Sequence, residues 1–204
     1  MSKNKWGESY AHKAAVFAST AHWHEEALET MFYRPVQCRT VLDVGCNMGA
    51  WEQLFRDEGE TAKVYAMDVN EYAIDRLNKE NIPNVSGITD LDVIPEGIVD
   101  FVVMMHVINQ IEDFEGVMAK VWRKMRSGGV IVVVTHNPIP SKFRWLENKI
   151  KGYKPDSTMV REPLLGELRH LMYFSGFIDT NSYYFGKKLV PFLNRRLVYV
   201  GTKP

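Results

Sequence analysis

Four residues near the start of the chain have the types and spacing to hold a charged nucleoside: Asp43, Gly45, Gly49 and Asp68. Gly45 and Gly49 frame a G-x-x-x-G turn, which permits a tight reversal and close approach of the backbone to a ligand. The turn lacks the G-x-G-x-x-G pattern of dinucleotide sites, and no Lys-Ser or Lys-Thr follows it as in a P-loop. Asp43 bears on the ligand's charge, because a carboxylate there repels a pyrophosphate and attracts a cationic amine. Asp68, about twenty residues past the turn, can accept hydrogen bonds from two hydroxyls. A nucleoside carrying an amino acid suits this set best.

These residues need a strand, turn, helix and second strand to position them. Val41 to Val44 has the composition of a buried strand, and Trp51 to Phe55 begins a helical spacing. The predicted helix Ala50 to Glu58 would point its N-terminal amides at the ligand. Val64 to Asp68 is a second short strand ending in an acid. The competing reading makes Asp43 a helix cap and leaves Asp68 at a strand end in water.

The runs D-V-G-C-x-x-G at Asp43 to Gly49 and Val64-Tyr65-Ala66-Met67-Asp68 resemble those of class I S-adenosylmethionine-dependent methyltransferases, clearly so from Val41 to Thr135. The resemblance implies an α/β fold with a Rossmann-like seven-stranded sheet, mostly parallel with a reversed last strand, and helices on both faces. It also implies that Asp43, Gly45, Cys46, Asn47 and Gly49 hold the methionine part of S-adenosyl-L-methionine, while Asp68 and Val69 take the ribose. Family members often place an acid for the adenine amino group after the third strand. Counting back from Asp100 puts Ile88 at that position, so adenine falls to backbone groups of Ile88 and Thr89, or to Asp90. Asp90 equally suits a turn or cap.

Further along, Asp100 to Met105 is an acid followed by an apolar run, as expected of a central parallel strand. His106 to Gln110 lies beyond its carboxyl end, where open α/β sheets bind ligands. His106 is therefore a candidate for contacting the cofactor or accepting a substrate proton, with Asn109 as a polar neighbour; the alternative is a loop cap. Ile111 to Met125 carries a helical apolar stripe, Ser127-Gly128-Gly129 reads as a turn, and Val130 to Thr135 is a β-branched strand. His136 follows it as the second catalytic candidate. A helix over Glu167 to Phe174, with Leu164, Leu165, Leu168 and Leu171 inward, precedes strands at Phe177 to Phe185 and Arg196 to Thr202, whose short connection favours antiparallel pairing.

The 204 residues predict one methyltransferase domain over 1–204. Residues 1–38 form its N-terminal segment, helical from Ser9 to Tyr33 and placed over the cofactor by the resemblance, from which Tyr10, His12, Trp23 or His24 could reach the pocket. Residues 136–163 lack a family signature and read as a substrate lid. A hydrophobic fraction of 46% and an aromatic fraction of 12% argue for a packed globule, and no apolar run is long enough to span a bilayer. The polar start lacks the apolar core of a secretory signal, so the expected location is cytoplasmic. Only Cys38 and Cys46 are present, which argues against a structural disulfide and a zinc site.

Zero formal net charge provides no global field for a polyanion. Lys142, Arg144, Lys149, Lys151 and Lys154, interspersed with Phe143, Trp145 and Tyr153, could nevertheless meet a nucleic acid or form a solvated face. The expected activity is methyl transfer to a small-molecule nitrogen or oxygen acceptor by in-line displacement, with His106 or His136 titrating in the useful range. An RNA or protein acceptor and a non-catalytic cofactor-binding partner subunit are the alternatives.

Overall fold

Apolar strands alternate with amphipathic helices along the chain, and the result is a seven-stranded sheet. The structure, a computed structural model, describes residues 40–49, 52, 62–143, 159–186, 189–194 and 196–204. Its elements in order are β1 (Thr40–Val44), β2 (Lys63–Met67), α1 (Glu71–Lys79), β3 (Val85–Ile88), β4 (Val99–Met105), α2 (Phe114–Lys124), β5 (Met125–His136), α3 (Pro138–Phe143), α4 (Leu165–Phe174), β6 (Ile178–Phe185) and β7 (Arg196–Thr202). Single 3-10 turns occupy Leu91–Val93, Ile108–Gln110 and Pro191–Leu193.

The strand order is β3-β2-β1-β4-β5-β7-β6. β1 pairs in parallel with β2 and β4, and β2 with β3, whereas β7 runs antiparallel to both β5 and β6. The strand order therefore reverses between β1 and β4, the topological switch point at whose carboxyl edge open α/β sheets bind ligands. The turn after β1 stands at that edge. The predicted mostly parallel sheet with a reversed last strand is the one observed.

Two compact units divide the chain. The first comprises Met1–Val103 with Arg123–Arg126, and the second Met104–Trp122 with Ser127–Pro204. In the first, α1 buries Ala73, Ile74 and Leu77, its helical start capped by the Asn70 side chain accepting from Ala73 N–H. Asp100 is structural here, accepting from Thr40 N–H at 2.8 Å and pairing with the Arg126 guanidinium. In the second, β5 and β7 pair from Val130↔Thr202 to His136↔Arg196, with Ile131, Val133 and Tyr199 fully buried.

Three boundaries differ from the sequence reading. α2 begins at Phe114, not Ile111, because the Asp113 side chain accepts from Gly116 N–H and starts the helix there. Ser127 to Gly129 does not break the strand: Gly128 takes a positive φ of 74°, but its N–H donates to the Lys203 carbonyl and Lys203 N–H donates to the Gly129 carbonyl, so β5 runs from Met125. α4 turns Leu165, Leu168 and Met172 inward and leaves Leu164 exposed as its N-cap, where Leu164 N–H donates to Glu167 Oε2. The readings over residues 1–38, over Ala50 to Glu58 apart from Glu52, and of the side chains between Lys142 and Lys154 lie outside the described residues.

Candidate functional site

The turn after β1 is built on alternating left-handed residues, Gly45 (φ 87°), Asn47 (φ 49°) and Gly49 (φ 78°). Asn tolerates this region better than other non-glycine residues, which explains how one side chain fits between two glycines. Two amides of the turn, Gly45 N–H and Cys46 N–H, donate to the Met67 carbonyl at 2.7 and 3.1 Å. The start of the turn is thereby tied to the end of β2. A Cβ on Gly49 would overlap the Leu77 side chain, so the turn sits directly on α1.

Asp68 completes this clasp. Its carboxylate accepts from Asn47 N–H and Asn70 N–H, each at 2.9 Å and each on a different oxygen. A carboxylate oxygen can accept more than one hydrogen bond, so both oxygens keep capacity for a diol. Burial raises the carboxyl above its ordinary range, and the backbone N–H groups of Asn70, Asn47 and Val69 pull it back.

Asp43, at the end of β1, is 5% exposed, and Glu52, three residues past the turn, is 0% exposed. Burial first, and the neighbouring Glu52 charge second, hold the Asp43 carboxyl well above the usual carboxylate range. Burial likewise pushes Glu52 up to about 7, against which its bond with the Asp43 carboxyl and its own backbone N–H act. No N–H or hydroxyl makes a full hydrogen bond to either Glu52 oxygen. Two buried carboxyl groups whose acid ranges are both raised resist being ionised together. No described cation enters the causes of these shifts; the neighbours that do are acids. Such a set fits a cationic ligand.

Cys46 turns its side chain into the core, and the residues at the exit of β3 are exposed. The free Cys46 thiol is buried with Ala66, Ile74, Leu77 and Ile82, leaving chiefly its backbone at the turn. Burial, followed by the Glu52 charge, raises the thiol well above its ordinary value, so it is unsuited to act as a nucleophile. Thr89 and Asp90 are exposed; Asp90 accepts from Asp92 N–H at 3.0 Å and caps the 3-10 turn, while the Ile88 carbonyl accepts from Asp68 N–H. Val69 is half-buried beside Asp68.

In the second unit, β4 and β5 bring two histidines together. The His106 and His136 ring centroids are 4.3 Å apart and tilted by 36°. His106 takes φ 56°, and its N–H donates to the Val134 carbonyl at 2.7 Å, so the left-handed turn directly after β4 is locked against β5. Asn109, 1% exposed, accepts from the Thr135 hydroxyl on its side chain, while its carbonyl accepts from Val160 N–H at 2.7 Å. Asn137 Nδ2 donates to the carbonyls of Phe192 and Asn194. These two asparagines fasten the segment read as a lid near its two ends, at Asn137 and Val160.

A model of the methyltransferase domain family matches residues 10–177. The chain belongs to that family. The class I resemblance carried by the Asp43 turn is thereby confirmed, and the methyltransferase cofactor is S-adenosyl-L-methionine. Among relatives, the malonyl-[acyl-carrier protein] O-methyltransferase of Hamiltonella defensa subsp. Acyrthosiphon pisum (strain 5AT) is 28% identical over 133 residues, covering 60% of this chain and 51% of the relative. The chain thus spans about half the length of that protein. A chain from a Haloferax volcanii complex between the Trm112 methyltransferase activator and a methyltransferase superposes with TM-score 0.76 at 16% identity, covering 97% of this chain and 95% of the other. Geranyl diphosphate C-methyltransferase from Streptomyces coelicolor A3(2) gives 0.65 at 14% identity, covering 88% and 77%. At these identities the two structures establish the shared methyltransferase fold.

Within the first unit the structure brings Asp43, Gly45, Asn47, Gly49 and Asp68 into one clasped turn. Within the second it stacks His106 on His136. The sequence reading missed Glu52, whose Oε2 would lie 3.5 Å from a Cβ on Gly49. Among the described residues, no helix is long and apolar enough to cross a membrane.

Proposed function

We propose that this chain, read as a single methyltransferase domain over 1–204, transfers the methyl group of S-adenosyl-L-methionine to a nitrogen or oxygen of a small molecule in the cytoplasm. The observation that carries the reading is the Asp68 clasp on the glycine turn, beside the cation-seeking pair Asp43 and Glu52. When bound, the sulfonium supplies a methyl already activated by positive charge, so the protein's main work is alignment and exclusion of water. Asp43 and the backbone of Gly45, Cys46, Asn47 and Gly49 hold the amino-acid end. Asp68 accepts the ribose hydroxyls, Val69 packs beside them, and the Thr89 backbone and Asp90 flank adenine.

His106 borders the donor and, with His136, removes the acceptor's proton. Imidazole is the side chain ordinarily suited to that transfer, and the 4.3 Å spacing of the two rings lets one orient the other. The H. defensa relative, by its name an O-methyltransferase acting on a carrier-bound malonyl group, supports an oxygen acceptor. Incubation with methyl-labelled donor and a panel of carboxylic acids, phenols and amines tests this reading. Transfer to at least one small acceptor is expected; labelling of RNA or protein alone would overturn it.

The cationic and aromatic residues between Lys142 and Lys154 favour a second reading, in which the acceptor is RNA or protein. Retention on tRNA that falls steeply with salt would support that. Binding of donor without turnover on any acceptor would instead support a non-catalytic partner subunit.

A further inference from the structure

Glu52 is buried beside the glycine turn with neither carboxylate oxygen receiving a full hydrogen bond from an N–H or hydroxyl. It lies against Gly49, and its charged neighbours on the packed elements are Asp43 of β1 and Asp68 after β2, with the Cys46 thiol in the turn between them. Three acids and no described cation form an environment whose free energy depends strongly on the ligand's charge. Structural needs do not account for Glu52, since burying a carboxyl without a matched donor is destabilising and an apolar side chain would fill the same space.

We propose that Glu52 is a charge-selecting residue of the donor pocket, which with Asp43 favours the sulfonium-bearing donor over its neutral thioether product. The proposal rests on the assignment of this turn to S-adenosyl-L-methionine. When the methyl group leaves, the carbon–sulfur bond pair stays on sulfur, the sulfonium charge disappears, and the new bond forms to the acceptor. Ligand charge therefore falls by one at the moment product release becomes useful. A buried carboxylate pair attracts the ammonium of both ligands but gains the added attraction of the sulfonium only with the donor, so its grip relaxes when that charge is lost. The raised acid ranges of Asp43 and Glu52 mean that a cationic donor favours release of a proton from these groups to solvent, and loss of the sulfonium charge favours its return.

Titration calorimetry on the full chain at pH 8, with S-adenosyl-L-methionine and S-adenosylhomocysteine in separate runs, tests this. Glu52→Gln should weaken the donor by roughly fivefold or more while changing the product less than about twofold, so that the donor's Kd rises more than about twofold relative to the product's. Equal loss for both ligands, or an unchanged ratio, overturns the proposal while leaving the donor assignment standing. Should the variant fail to fold, the wild-type pH dependence decides: donor affinity should rise from pH 6 to pH 8 while product affinity stays level, and parallel curves would overturn the idea. If the wild type binds neither ligand, the donor assignment itself fails.

Discussion

The backbone N–H of Asn47 donates to Asp68 Oδ2 at 2.9 Å, so the acid that ends β2 also closes the turn that follows β1. Sequence separation hides this link, because the two residues belong to successive strand ends joined only through the fold. Asp68 thus has a double role: it shapes the turn and presents its remaining acceptor capacity to a diol.

Replacing Asp68 with Ala should consequently affect both properties. Two backbone donors, Asn47 N–H and Asn70 N–H, lose their acceptor, which costs about 1–3 kcal/mol of stability. Affinity for S-adenosylhomocysteine should fall by roughly tenfold or more. Thermal unfolding and calorimetry measure the two effects, and intact binding would remove Asp68 from the ribose.

Gly49→Ala should be destabilising for a different reason. The added methyl meets Leu77 at a backbone φ of 78°, combining left-handed strain with overpacking. A loss of about 2–4 kcal/mol is expected from those two effects together. A urea midpoint equal to that of the wild type would show that the turn can shift away from α1.

The acid pair sets a pH dependence whose sign is opposite to that of a salt-bridged carboxylate. Glu52 rises from an ordinary value of 4.5 to about 7 on folding, so between those values the native state binds the extra proton. The stabilisation is present below the unfolded value and is lost as pH climbs through the folded one. Stability should therefore decline from about pH 4.5 to pH 7, on the order of 2–4 kcal/mol from this pair, and then level off. Urea unfolding at pH 5 and pH 8 should show the decline in the wild type and a much smaller one in Glu52→Gln; equal slopes in the two proteins would contradict the raised acid range of Glu52.

His106→Asn preserves the left-handed backbone that the position demands, since Asn adopts φ near 56° readily. It removes only the ring. Turnover should fall by roughly 10²-fold or more if the ring accepts the acceptor's proton, with donor affinity changed less than threefold. A lost kcat together with lost donor binding would instead make His106 a cofactor contact alone.

Much of the sheet was legible because its signals are local. Val41 to Val44 and Val99 to Met105 read as buried strands from composition, and His106 and His136 could be placed at their strand ends. Features set by distant partners were not legible. Gly128 and Gly129 look like a chain break until Lys203 provides their hydrogen bonds, and Leu164 looks like core until the helix start turns it outward and Met172 takes the inward position. Glu52 was missed because a charged residue in a helical window ordinarily faces solvent; only the burial of its carboxylate beside Asp43 marks it as part of the site.

A crystal structure of the chain grown with S-adenosylhomocysteine tests the central assignment most directly. Density should show the amino-acid end against Asp43 and the Gly45 to Gly49 turn, with both ribose hydroxyls donating to Asp68. A nucleoside bound elsewhere, with the Asp43 and Asp68 carboxylates clear of it, would contradict the account.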